Sequence, residues 1–206
     1  MMVDGEPSYR VPNTIILVRV VLAFIACGLL MRGSAVEASV AVVLTVIAIA
    51  MDALDGMAAR RLGLSSKLGG VVDITADRIV EHAYWITFAV AQLVPLWVPL
   101  VIVTRSALVD AVRGLAMIQG KTAFGESTMA RSALNGFLTA SRTMRNLYGA
   151  AKVTAFVLLG LLIAAPGVAL LEVAATVAVG ATVTLCVARG VPVLVDARSY
   201  LQADQG

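Results

Sequence analysis

Charge is scarce in this sequence: Asp, Glu, Lys and Arg make up 14% of its 206 residues, where an ordinary soluble domain carries about 25%. Aromatic residues reach only 5%, and the chain has one histidine and two cysteines. Each shortage removes a class of protein. So little charge, beside 60% hydrophobic residues and a mean hydropathy of +0.92, excludes a soluble globule. It also excludes a disordered chain, which needs low hydrophobicity and high net charge. Cys27 and Cys186 both lie in apolar runs and read as small core residues rather than a disulfide. There is no zinc-ligand spacing, internal repeat or phosphate-binding glycine loop. The single histidine, His82, reads as a structural residue beside the carboxylates described below.

What the chain has instead is long apolar runs, among them 14–31, 38–51 and 153–164. A bilayer-spanning helix takes about 20 mostly apolar residues, and backbone polar groups in lipid must be satisfied within the helix. Hydropathy, Gly and Pro divide the chain into six spans at 13–32, 37–60, 69–93, 95–118, 144–165 and 167–190. The expected fold is therefore all-α, a polytopic membrane protein with six transmembrane helices. Residues 1–12 form a cytoplasmic juxtamembrane segment, 13–190 the six-helix domain and 191–206 a cytoplasmic tail. Arg10 before the first run gives it the look of a signal peptide, but five further spans leave no soluble product to deliver, so it reads as a retained helix. One set of connections holds Arg10, Arg60, Arg61, Lys67, Lys121, Arg131, Arg142, Arg145, Arg189 and Arg198, and the opposite set only Arg32. That asymmetry places both termini and the 61–68 and 119–143 loops in the cytoplasm. The setting expected is a prokaryotic inner membrane, with no nucleic-acid partner.

Acidic residues inside spans are costly and by default functional. Most of those here fall in one stretch: Asp52, Asp55, Asp73, Asp77 and Glu81. Asp52 and Asp55 are i, i+3 near the end of the second span, and Asp73, Asp77 and Glu81 are i, i+4, i+8 at the start of the third, so each set shares a helix face. A short loop makes these helices antiparallel neighbours, which brings the four aspartates to one depth. Four facing carboxylates cannot all stay ionised without cations between them. Arg60, Arg61 and Arg78 could neutralise some of them. Alternatively, an all-oxygen donor set on two facing helices suits hard divalent cations, and a pair of Mg²⁺ or Mn²⁺ ions fits four aspartates.

The spacing reads Asp52-x₂-Asp55-Gly56-x₂-Ala59-Arg60-x₈-Gly69-x₃-Asp73-x₃-Asp77. It resembles the signature of the CDP-alcohol phosphatidyltransferase family with every position filled. The resemblance implies six transmembrane helices, usually as a homodimer, around a polar cavity open to the cytoplasm. It implies attack of a hydroxyl on the β-phosphorus of CDP-diacylglycerol, with release of CMP. It further implies that Asp52, Asp55, Asp73 and Asp77 ligate the metals, Asp77 also acting as general base on the acceptor alcohol. Gly56 and Ala59 would leave room for the nucleotide, Arg60 would bind its phosphates, and Gly69 would let the third helix start close to it. An arginine fork suits phosphate, and glycine permits close backbone approach.

Three further segments resemble phosphatidylglycerophosphate synthases. Pro12-Asn13-Thr14-Ile15-Ile16-Leu17-Val18-Arg19 matches their Pro-Asn-x-x-Thr-x-x-Arg entry, except that Ile16 replaces the threonine. Arg105 and Arg113 follow their Arg-Glu-x₆-Arg pattern with Ser106 at the glutamate, and Gly149-x₂-Lys152-x-Thr154 follows their Gly-Lys-x-Lys-Thr with Ala150 at a lysine. Basic residues at membrane depth need an anion: either Asp110 and Glu81, or a phosphorylated acceptor held by Arg105, Arg113 and Lys152. Arg19 could be purely structural. The Ser-, Thr- and Arg-rich stretch from Lys121 to Arg145 reads as a solvated helix and loop, or places Arg142 and Arg145 at the mouth of the acceptor pocket. Glycerol 3-phosphate is the expected acceptor, with inositol phosphate, serine or another polar alcohol as alternatives. The rival class is a divalent-cation transporter, which would not need Gly56, Arg60 or Gly69. A catalytically silent scaffold of the same fold is a further alternative, at odds with four intact aspartates.

Overall fold

The computed structural model describes residues 10–62, 67–118, 137–139 and 141–203, with side chains for 14–51, 70–114, 137–139 and 141–195. Among these residues the chain is helical apart from short turns. Six long helices follow one another: α1 (Arg10–Arg32), α2 (Ala35–Leu62), α3 (Lys67–Val90), α4 (Trp97–Ile118), α5 (Arg142–Ala164) and α6 (Ala169–Ala203). Each corresponds to one expected span. Among the described residues three stretches, Thr14–Arg32, Arg142–Ala164 and Ala169–Val195, are long and apolar enough to cross a membrane, and Ala35–Met51 is a shorter apolar helix. The buried charged side chains among the described residues, Arg19, Glu81, Arg105 and Arg189, fall one each on α1, α3, α4 and α6.

The boundaries have local causes. Between α1 and α2, Gly33 takes a left-handed φ of 73°, a conformation glycine adopts without a Cβ penalty. Ser34 then caps α2: its Oγ accepts from the Glu37 N–H at 3.3 Å and donates to Glu37 Oε2 at 2.7 Å. Ser34-x-x-Glu37 has the sequence of a capping box, with the carboxylate bonded to the serine hydroxyl. Helix α3 ends at Val90, short of the expected 93, because Gln92 has φ 60°. The Leu93 N–H reaches the Phe88 carbonyl and the Gln92 N–H that of Ala89, both at 3.0 Å, which is a Schellman closure. Ser141 caps α5 by accepting from the Met144 N–H at 3.1 Å. Helix α6 runs on from 190 to Ala203 through Pro192. A membrane edge marked by charge ends an apolar run without ending a helix, so 191–203 continues α6 in the stretch expected as a tail.

The chain divides into two compact units, Met1–Pro95 with Phe156–Glu172, and Leu96–Ala155 with Val173–Gly206. In the first, α1 packs against both α2 and α3. Ala23, Ala26, Ala38 and Ala41 are buried there, and small residues let helix backbones approach closely. Gly160 lies against Val42, whose Cγ2 would sit 2.6 Å from an added Cβ. Tyr84, Trp85, Phe88 and Phe156 form an aromatic cluster, with Tyr84 and Phe156 centroids 4.7 Å apart and Trp85 edge-on to Phe156 at 5.1 Å. Thr45 Oγ1 donates to the Ala41 carbonyl at 2.8 Å, which leaves the Tyr84 hydroxyl as donor in their 2.7 Å bond. In the second unit Val98, Ile102, Val109, Tyr148, Ala178 and Cys186 are buried. Both cysteines are free thiols in buried positions, as expected. Leu17, Phe24, Val36 and Val43 in one unit, and Val173, Val177 and Val195 in the other, are exposed. Outward-facing apolar side chains of this kind suit a lipid environment.

Candidate functional site

In the first unit, Asp73 and Asp77 sit one turn apart on α3, and helical periodicity directs them to the same side. That side meets Arg19 of α1. A single guanidinium nitrogen, Nη2, lies 3.2 Å from Asp73 Oδ1 and 3.0 Å from Asp77 Oδ1. The Arg19 side chain is 4% exposed, and the two carboxylates are 46% and 50% exposed. An arginine stays charged at any ordinary pH, and a charge so buried is tolerated only beside counter-charges. The arrangement therefore serves both sides: Arg19 gains its anions, and the two carboxylates are kept from repelling each other. Arg78 pairs with Glu81 on its own helix, at 3.5 Å, and Glu81 is almost fully buried.

The sequence offered Arg60, Arg61 and Arg78 as neutralisers of the aspartates and left Arg19 open. The signal for Arg19 was its position, well inside an apolar span, where a cation requires an anion from another helix. Asp52, Asp55, Gly56, Ala59 and Arg60 lie on α2 and Gly69 at the start of α3, but all six fall outside the described side chains. Among the described residues no group of three or more His, Cys, Asp or Glu side chains gathers. The described part of the expected metal site is the pair Asp73 and Asp77, whose Oδ1 atoms converge on one cationic nitrogen. His82 is half-buried on the same helix.

The second unit gathers the basic residues. Arg105 on α4 and Arg189 on α6 are 8% and 9% exposed. The stem of Arg105 lies in a recess over Gly190, where an added Cβ would come within 2.6 Å of Arg105 Cγ and 2.9 Å of its Nε. Only glycine leaves this room, so Gly190 shapes the path of the Arg105 side chain. The positive charges of Arg105, Arg113 and Arg145 all bear on the Arg189 guanidinium. The Tyr148 ring partly offsets this repulsion, with Arg189 Cζ 5.3 Å and Lys152 Nζ 5.8 Å from its centroid, both within cation–π range. Arg113 also faces Asp110 on its own helix at 3.9 Å.

Of the two anion sources expected for this group, Asp110 is thus used, and by Arg113. The buried Nε atoms of Arg105 and Arg189, and Ser106 Oγ, have no hydrogen-bond partner among the described residues. Arg142 is exposed at the start of α5, where with Thr143, Asn146, Leu147 and Ala150 it lines an open groove of about 460 Å³. Arg145 is exposed one turn further on. The charges of Arg105, Arg113 and Arg145 thus each reach Arg189, and Lys152 shares the Tyr148 ring with it. From the sequence Arg189 reads as a charge marking the membrane edge; its burial among these residues makes it a further candidate for the basic group. A helix continuing past it, with Gly190 beside it, is what converts that edge into an interior position.

Comparison with known proteins bears on both regions. The sequence profile of the CDP-alcohol phosphatidyltransferase family matches residues 9–188. Proteins of Mycobacterium bovis and Mycobacterium tuberculosis named "Putative cardiolipin synthase" are 31% identical to this chain over 134 residues. That stretch is 65% of this chain and 63% of theirs, so the match spans less than two thirds of the length of these relatives.

Proposed function

The chain belongs to the CDP-alcohol phosphatidyltransferase family, and from that premise we propose that it transfers the phosphatidyl group of CDP-diacylglycerol to the hydroxyl of a small phosphorylated alcohol, glycerol 3-phosphate first, releasing CMP. The observation that carries this reading is the convergence of Asp73 and Asp77 on a single cation, at the end of a signature whose every position is filled. An all-oxygen, anionic donor pair already facing positive charge fits a hard divalent ion. Asp52, Asp55, Asp73 and Asp77 would hold two Mg²⁺ or Mn²⁺ ions, which when bound neutralise charge on the pyrophosphate and the departing CMP.

The remaining work falls to the chain's own residues. Asp77, half-exposed, takes the acceptor's hydroxyl proton as the new O–P bond forms at the β-phosphorus and the P–O bond to CMP breaks. Arg60 binds the nucleotide phosphates, and Gly56, Ala59 and Gly69 leave space for them. Arg105, Arg113, Arg142, Arg145 and Lys152 bind the phosphate of the acceptor, joined by Arg189. The buried Nε groups of Arg105 and Arg189 support an anionic acceptor, because a desolvated donor is expensive until it is bonded. Six transmembrane spans, a cytoplasm-facing cavity in a prokaryotic inner membrane and a homodimer complete the reading.

The relatives' name supports a second acceptor, the free hydroxyl of phosphatidylglycerol, from which the same transfer yields cardiolipin. The deciding experiment incubates the purified full chain with CDP-diacylglycerol and Mg²⁺ or Mn²⁺ in detergent micelles. Glycerol 3-phosphate, inositol phosphate, serine and phosphatidylglycerol are offered in turn. CMP release that depends on glycerol 3-phosphate is the expected result. Release with phosphatidylglycerol alone would transfer the assignment to the second acceptor. No CMP with any of them would overturn the enzymatic reading, and metal flux in proteoliposomes would then favour a transporter.

A further inference from the structure

We propose that Arg19 is a built-in competitor of the divalent ion: its guanidinium holds Asp73 and Asp77 together when no metal is present, and must be displaced from them when metal binds. The proposal rests on the reading of these two aspartates as metal ligands. Its basis is that the cation and the ion want the same atoms. Arg19 Nη2 contacts the Oδ1 of each carboxylate, at 3.2 and 3.0 Å. A small hard cation seeks carboxylate oxygens at about 2.0–2.1 Å, and a guanidinium cannot keep both contacts beside it without strong like-charge repulsion.

The burial pattern gives the competition its strength. Arg19 is 4% exposed while its partners are about half exposed, so the carboxylates are open to an incoming ion but Arg19 has little water to retreat into. Its helix is packed against both α2 and α3, which fixes the base of the side chain. Arg19 thereby holds the metal affinity of the two carboxylates down. An anionic nucleotide arriving with the ion offsets the added positive charge, so Arg19 makes metal loading depend on substrate more than a neutral residue would.

The test measures Mn²⁺ binding to the detergent-purified full chain by electron paramagnetic resonance, with and without CDP. Arg19→Gln should bind Mn²⁺ more tightly, on the order of tenfold, and should show a smaller gain in affinity on adding CDP than the wild type. Arg19→Lys, which keeps the charge, should stay within about threefold of wild type. Should the glutamine variant fail to fold, Arg19→Met keeps the apolar stem and carries the same expectation. A neutral variant that binds Mn²⁺ no more tightly than wild type, or more weakly, overturns the proposal and leaves the metal reading standing. Absence of Mn²⁺ binding in wild type and neutral variants alike overturns both.

Discussion

In the first unit, two half-exposed carboxylates meet a cation supplied by their own chain, Arg19. In the second, the buried guanidiniums of Arg105 and Arg189 lie within each other's field, and their Nε groups have no acceptor among the described residues. The contrast is one of where the compensating charge comes from. A carboxylate pair balanced internally has its counter-charge built into the fold, and on the proposal above a metal ion would replace it. Buried like charges raise the energy of the folded chain, and an arriving phosphate would recover that cost as binding energy. The acidic region is therefore read as the place where chemistry happens and the basic region as the place where an acceptor is chosen.

The largest effect that could break this division lies at Asp77. Asp77→Asn keeps size and shape but removes both the negative charge and the proton-accepting oxygen. Turnover measured as CMP release should fall by roughly 10²–10⁴, the range for a lost general base. Nucleotide binding should survive in part, because three of the four expected ligands remain. Asp73→Asn should weaken nucleotide binding and turnover together. If Asp77→Asn kept near-normal turnover, the general-base role would have to move to another group.

The next effect tests the basic side. Arg105→Gln retains hydrogen-bonding capacity but loses the charge, and a charged hydrogen bond is worth about 1.5–3 kcal/mol. The kcat/KM for glycerol 3-phosphate should drop by roughly ten- to a hundredfold, mostly through KM, with CDP-diacylglycerol binding little changed. Equal losses on both substrates would mean that the two regions are not divided by substrate. Arg189→Gln should behave in the same way, which would add a residue that the sequence did not single out.

A smaller effect probes how Arg105 is aimed. The Cβ of Gly190→Ala would come within 2.6 Å of Arg105 Cγ, close enough that the stem must shift. Alanine is otherwise the better helix former by about 1 kcal/mol, so the variant should melt no lower than wild type while its acceptor kcat/KM falls by roughly threefold to tenfold. Stability and activity moving in opposite directions would separate positioning of Arg105 from general damage.

These expectations rest unevenly on sequence and structure. The six helices were legible because hydropathy and punctuation are local properties: Gly33, Pro166 and Gly167 mark turns wherever they occur in such a pattern. Helix ends were less so. Gln92 closes α3 in a left-handed conformation usually left to glycine, and α6 passes straight through Pro192. At the site, Asp73 and Asp77 declared themselves by i, i+4 spacing within an ordered signature. Their partner Arg19 did not, since 54 residues separate it from Asp73 and no periodicity links two helices. Arg189 was hidden for a different reason: a positive charge at the end of an apolar run serves equally as a membrane-edge marker and as a buried ligand, and only the burial of its side chain tells them apart.

The smallest effect supplies the reference for the comparison, in the first unit but on another pair of residues from the carboxylates. The Tyr84 hydroxyl donates to Thr45 Oγ1 at 2.7 Å, while Thr45 donates its own proton to the Ala41 carbonyl. Tyr84→Phe removes that one neutral hydrogen bond and leaves the ring stacked on Phe156 at 4.7 Å. Thr45 keeps its backbone partner, so no donor is stranded. Thermal melting in detergent should report a loss of about 1 kcal/mol, with kcat and both KM values unchanged. A larger loss of activity than of stability would mean that the α2–α3 contact positions the aspartates, and that the acidic region depends on packing as much as on the charge of Arg19.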